Sequence, residues 1–83
     1  MYEIRITKRA CKDIKALTEK QKNKLLDILN EVIAISPYEG KKLLGELSGN
    51  YSLRLNLKDR IIYSIDESKR IVYIKRAKTH YNK

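Results

Sequence analysis

Tyr51-Ser52-Leu53-Arg54-Leu55-Asn56, the turn Leu57-Lys58-Asp59, and then Arg60-Ile61-Ile62-Tyr63-Ser64-Ile65 form the stretch from which the architecture follows. Both outer runs alternate with a period of two, the signature of strands with one face buried. Tyr51, Leu53 and Leu55 share one side of the first run, while Ser52, Arg54 and Asn56 share the other. In the second run Ile61, Tyr63 and Ile65 make the apolar side, opposite Arg60, Ile62 and Ser64. The pair is expected to form a hairpin whose arginines stand on the face away from the core.

Downstream, Asp66-Glu67-Ser68-Lys69 supplies a second turn, and residues 70–75 make a third strand. Parity leaves its core side open, because Ile71 and Tyr73 alternate with Val72 and Ile74. Lys75, Arg76 and Lys78 are not placed by it. Upstream, the strand run starts near Gly49, and Pro37-Tyr38-Glu39-Gly40-Lys41-Lys42 is a loop. Before the loop comes a helix that carries Leu25, Ile28, Leu29, Val32 and Ile33 on one stripe. Thr18 and Gln21 form a capping box at its start, and Pro37 stops it. A shorter helix capped by Thr7 runs to about Leu17, with Ala10, Cys11, Ile14 and Leu17 at core spacing. Cys11 is therefore expected in the core and not as a nucleophile. Tyr2-Glu3-Ile4-Arg5-Ile6 alternates as a strand and opens the chain. The order strand, helix, helix, strand, strand, strand predicts an α+β two-layer domain over residues 1–83, an antiparallel sheet with both helices on one face.

At this length about 60–65% of the unfolded surface is buried on folding, so stability should be modest. No apolar run approaches the roughly 18–20 residues that span a bilayer, and the opening strand is unlike a signal peptide. A single cysteine offers neither a disulfide nor a metal set, which fits a reducing, cytoplasmic setting. Charge is the first functional clue: of the net +9, residues 1–40 carry +2 and residues 41–83 carry +7. The later part of the chain is thus the footprint for a polyanion, either nucleic acid or an acidic protein.

RNA can be cut without metal when its own 2′-hydroxyl attacks the adjacent phosphorus. A base must take the hydroxyl proton, cations must stabilise the phosphorane, and an acid must protonate the leaving 5′-oxygen. Arginine suits the middle role because its planar fork donates two hydrogen bonds and stays charged. His80 is the lone histidine, so a two-histidine mechanism is excluded by count. Tyrosine offers a ring for base stacking. Arg54 and Arg60 could equally be ion-pair partners of Asp59 or Glu46, and periodicity goes no further.

Leu47-Ser48-Gly49, Tyr51-Ser52-Leu53-Arg54-Leu55-Asn56, Asp59-Arg60-Ile61-Ile62-Tyr63 and the closing His80-Tyr81, taken in order, resemble the RelE/YoeB superfamily of bacterial toxins. Pro37-Tyr38-Glu39-Gly40 also resembles a loop of its Txe/YoeB branch. The resemblance covers essentially the whole chain. It implies the compact RelE-like fold and the toxin of a toxin–antitoxin pair: a ribosome-dependent endoribonuclease that cuts mRNA in the A site, without metal or cofactor, leaving a 2′,3′-cyclic phosphate.

Carried over by residue, the resemblance makes Arg60 the phosphorane-stabilising cation, His80 the general acid and Tyr81 the residue that positions or stacks on the substrate. Arg54, Lys78 and Lys41 would bind RNA. The branch's candidate base, a glutamate, has no clear counterpart because the loop before Leu-Ser-Gly is shorter here. Glu46 and Lys41 are the two candidates in its place. Asn82-Lys83 continue past the point where YoeB-like chains usually stop. The implied partners are a cognate acidic antitoxin, the ribosome and mRNA; operator DNA would be met only through the toxin–antitoxin complex. Family members occur as monomers and homodimers. Two other classes compete: a ParE-like toxin that binds gyrase, and a non-catalytic nucleic-acid-binding regulator. No recognition helix follows the second helix, which disfavours the latter.

Overall fold

The computed structural model describes residues 1–78. Strand β1 (Glu3–Ile6) leads into helix α1 (Lys8–Lys15), whose N-cap Thr7 accepts a hydrogen bond from the Ala10 amide at 3.2 Å. The same Thr7 hydroxyl donates to the Ile74 carbonyl at 3.0 Å, so the cap also ties the helix to the sheet. α1 turns Ala10 and Asp13 inward, with Ile14 and Leu17 packed against the core. Cys11 is exposed, contrary to expectation. It lies about 100° round the helix from Ala10, and the stripe through positions 10, 14 and 17 passes it by.

Helix α2 (Glu19–Ile28) begins with the expected capping box: Thr18 Oγ1 accepts from the Gln21 amide, and Gln21 accepts from the Thr18 amide. A wider π-helical turn, Leu29–Ile33, follows, closed by a bond from the Ala34 amide to the Leu29 carbonyl. The extra residue lets Ile33 and Ala34 both turn inward and leaves Ile35 outside. Pro37 then opens a short 3₁₀ turn, Pro37–Glu39, inside the expected loop.

Four more strands complete the sheet: β2 (Lys41–Lys42), β3 (Tyr51–Arg54), β4 (Arg60–Asp66) and β5 (Ile71–Ala77). A 3₁₀ turn, Gly45–Leu47, separates β2 from β3. The spatial order is β1-β5-β4-β3-β2. β3, β4 and β5 form the expected antiparallel meander, and the RelE-like α+β architecture is present. The sheet as a whole is mixed, however, because β1 runs parallel to β5. The long connection through both helices is what permits a parallel neighbour. β3 is also shorter than residues 49–56. Asn56 ends the ladder by accepting from the Lys58 and Asp59 amides in a tight turn.

The core joins Ala10, Leu25, Leu29 and Ile33 from the helical layer to Ile61, Tyr63, Val72 and Ile74 from the sheet. Val72 and Ile74 are thus the inward set of β5. A bulge then shifts the phase: Tyr63 pairs with Ile74, but Ile62 pairs with Arg76, leaving Lys75 as the extra residue. Beyond it Ala77 faces the core and Arg76 the open side.

Candidate nucleic-acid interface

Register builds the site. Cross-strand partners share a face and stand about 5 Å apart at Cβ. Ser52 pairs with Lys41 on one side and Ile62 on the other, and Ile62 pairs with Arg76. A row Lys41–Ser52–Ile62–Arg76 therefore crosses the open face. Beside it Arg54 and Arg60 are direct partners. The structure thus brings three of the expected site residues, Lys41, Arg54 and Arg60, onto one surface.

Arg60 is half-buried, and its Nε donates to Ser52 Oγ at 2.8 Å. Ser52 is itself buried, so it fixes the guanidinium across the sheet toward the row. Among the described residues neither Arg54 nor Arg60 has an ion-pair partner. Asp59, the alternative partner, accepts from Asn56 instead, at 3.1 Å. Two directly opposed like charges cost a sheet part of its pairing energy. Nothing in the described chain neutralises the pair, and a phosphate placed over it would.

The edge behind this surface is built on three packed tyrosines. The Tyr51 ring stacks on Tyr63 at 5.8 Å and stands nearly perpendicular to Tyr38 at 5.7 Å. Tyr63 Oη donates to the Pro37 carbonyl at 2.7 Å, and burial pushes its pKa up to about 12, which keeps the hydroxyl a donor. Gly40 passes against that hydroxyl and the Ser52 carbonyl so closely that an added Cβ would force a neighbour to shift. The contact sets β2, and with it Lys41, against β3.

Between the N-terminus of α1 and the turn before β3 the open face deepens into a groove of about 770 Å³. Ile62 lies at its floor, with Lys8, Arg9, Lys75 and Arg76 along it. Leu47 and Asn50 line the other wall, whereas Glu46 stands exposed on the same turn. Arg76 is held by Asp13: Nε and Nη2 donate to the two carboxylate oxygens at 2.8 and 3.2 Å. The Ala77 amide donates to the same carboxylate at 3.0 Å. Burial raises the Asp13 pKa, but the guanidinium and the amide outweigh it and hold the group below the ordinary carboxylate value. The pair raises Arg76 further still. Lys78 is exposed beside a smaller hollow that Arg9, Lys12 and Asp13 also line.

His80 and Tyr81 lie outside the described residues. Sequence reasoning passed over Lys8, Arg9, Asn50 and Arg76. A helix that opens on two cations with no carboxylate in its first turn was a legible signal for the first two. Arg76 was not legible, because the bulge reverses parity ahead of it. Among the described residues no cluster of three metal-ligating side chains occurs, and no helix is long and apolar enough to cross a membrane.

No family model and no curated protein matches the chain. Solved structures do. The RelBE2 toxin–antitoxin complex of Mycobacterium tuberculosis superposes with a TM-score of 0.85 at 28% identity, over 95% of this chain and 98% of that one. The YoeB–YefM complex of Staphylococcus aureus gives 0.79 at 28% identity, over 98% and 99%. Isolated Escherichia coli RelE shares the fold, at 0.81 and 24% identity over 100% and 88%. The architecture is the α+β fold of toxin–antitoxin toxins. Within that class the chain belongs to the RelE/YoeB superfamily.

Proposed function

We propose that this protein is the toxin of a toxin–antitoxin pair and cleaves mRNA in the ribosomal A site by 2′-hydroxyl attack, inhibiting translation. The observation that carries this reading is the opposed pair Arg54 and Arg60 on the open face, without an ion-pair partner among the described residues, with Arg60 aimed by buried Ser52. Such a pair is a preorganised anion site, the arrangement that stabilises a phosphorane without reorganising during the reaction. In the reaction the 2′-oxygen bonds to phosphorus and the bond to the 5′-oxygen breaks, leaving a 2′,3′-cyclic phosphate and a 5′-hydroxyl. Arg60 takes the charge that builds on the non-bridging oxygens, and Arg54 holds the strand. His80 protonates the leaving oxygen and Tyr81 positions the substrate. The base that removes the 2′-proton is drawn from Lys41 and Glu46. Lys41 is favoured because it shares the cross-strand row with Ser52. Lys78 adds a contact to the RNA backbone.

The partner in the cell is a cognate antitoxin whose acidic, amphipathic segment covers the basic face. The two neighbours at 28% identity were solved as toxin–antitoxin complexes, which supports this assignment. Operator DNA would be contacted through that complex. Cleavage mapped on mRNA in an in vitro translation reaction tests the reading. Cuts should appear at ribosome-occupied codons, vanish with Arg60→Ala, and be absent from the same mRNA without ribosomes. Equal cleavage of free mRNA would remove the ribosome from the mechanism, and unchanged cutting by Arg60→Ala would remove the site.

A further inference from the structure

The groove beside α1 has no role in the chemistry above, yet its lining is specific. Lys8, Arg9 and Lys75 have no ion-pair partner among the described residues, and no carboxylate lines the groove with them. α1 opens on two cations where its dipole is already positive, an arrangement that an anion would relieve. Thr7 takes the Ala10 amide through Oγ1 and the Cys11 amide through its carbonyl. The Lys8 and Arg9 amides, which come first in the helix, are left without an acceptor from the described chain, free to receive one from outside.

Two further features separate the groove from a simple cationic patch. Its floor is apolar, made by Ile62 and bordered by Leu47. On the wall, Asn50 Nδ2 donates to the Leu47 carbonyl at 3.0 Å, which fixes the amide's orientation, while Oδ1 is buried with no partner. It is the single such side-chain atom among the described residues. An orphaned acceptor, an apolar floor and a cationic rim together fit a flat ring that carries N–H or O–H donors and a phosphate.

We infer that the groove is a nucleotide subsite, distinct from the Arg54–Arg60 pair, that holds a nucleotide flanking the scissile linkage. Its phosphate lies at the α1 N-terminus against Lys8 and Arg9, its base covers Ile62, and a base or ribose donor reaches Asn50. The identity of the polymer rests on the RNA-cleavage reading; the chemistry of the pocket does not. Continuity supports a shared strand. Ile62 lies between Ser52, which aims Arg60, and Arg76 at the groove. With strands about 4.8 Å apart, Ser52 and Arg76 are roughly 10 Å from each other, a span of about one to two nucleotide units. Glutamate side chains alone would satisfy the rim but would leave the apolar floor bare.

The test is a titration of the full-length protein, with amide and isoleucine-methyl labels, read by NMR at low salt. Adenosine 3′-monophosphate should shift the Lys8 and Arg9 amides, the Asn50 side-chain amide and the Ile62 methyl with one common isotherm. Inorganic phosphate should move the Lys8 and Arg9 amides and leave the Ile62 methyl in place. Lys8→Ala combined with Arg9→Ala should weaken the nucleotide on the order of tenfold. An unmoved Ile62 methyl, unchanged affinity in the double variant, or a hexaglutamate peptide that binds as tightly and shifts the same methyl would each overturn the subsite. The two readings fail separately. A protein that passes this titration but never cuts mRNA keeps the subsite and loses the nuclease. One that cuts on ribosomes while Ile62 stays unmoved keeps the nuclease and loses the subsite.

Discussion

Replacing Asp13 by Asn tests whether the ion pair behind the groove holds the end of β5. The side chain is 6% exposed and Arg76 is 20% exposed, so the pair is largely shielded from water. Asn can still accept from the Ala77 amide, but its own amide cannot accept both guanidinium bonds, and the charge is gone. Breaking a buried pair costs about 3–5 kcal/mol. Arg76 borders the groove and can turn toward solvent, which lowers the expected loss to about 2 kcal/mol. For a domain of this size that is a fall in Tm of about 8–16 °C.

The pH dependence has a definite sign. Asp13 is depressed in the folded state, so its contribution is complete above the unfolded value near 3.9 and is lost as pH falls through the lower folded value. The gap between wild type and Asp13→Asn in urea titrations should hold from pH 7 to about pH 5 and narrow below about pH 4. Arg76→Met leaves the carboxylate buried with the Ala77 amide as its remaining donor. It should be most destabilising at neutral pH and recover on acidification. The double variant should lose less than the sum of the singles, by at least about 1.5 kcal/mol. An Asp13→Asn variant within about 0.5 kcal/mol of wild type at pH 7, or a gap that ignores acidification, refutes the reasoning.

Arg60→Ala should lower ribosome-dependent cleavage by about 10²–10³-fold, the scale for removing one transition-state charge donor. Its stability in urea should fall modestly, by about 1 kcal/mol, because losing the bond to buried Ser52 outweighs relief of the opposed charge on Arg54. Tyr63→Phe orphans the Pro37 carbonyl and should cost about 1–2 kcal/mol by urea denaturation, without creating a cavity. Gly40→Ala drives a methyl against the Tyr63 hydroxyl and the Ser52 carbonyl, and a loss of about 1–3 kcal/mol should appear in the same assay. Thr18→Ala removes half of the capping box and should lower stability by about 1 kcal/mol, seen as a reduced Tm with unchanged cleavage.

What the residue pattern alone determined is local and periodic. Two-residue alternation in residues 51–55 and 60–65 put Ile61 and Tyr63 inside and Arg54 and Arg60 on one open face, because strand geometry leaves alternate side chains no other choice. The capping box at Thr18 was legible for the same reason: every atom it needs lies within four residues. Cys11 shows the limit of such reasoning, since apolar spacing gives a helical stripe but not its edges. Three things waited for tertiary structure. Parallel pairing of β1 with β5 joins residues almost seventy positions apart, and no local period encodes which edge a strand joins. The bulge at Lys75 arises from how β4 and β5 fit together, and it alone turned Arg76 to the open side. The groove draws on α1, the turn before β3 and two central strands, so its cations became one site when the chain closed. Short-range sterics are written in neighbouring residues; which distant charges share a surface is decided by packing.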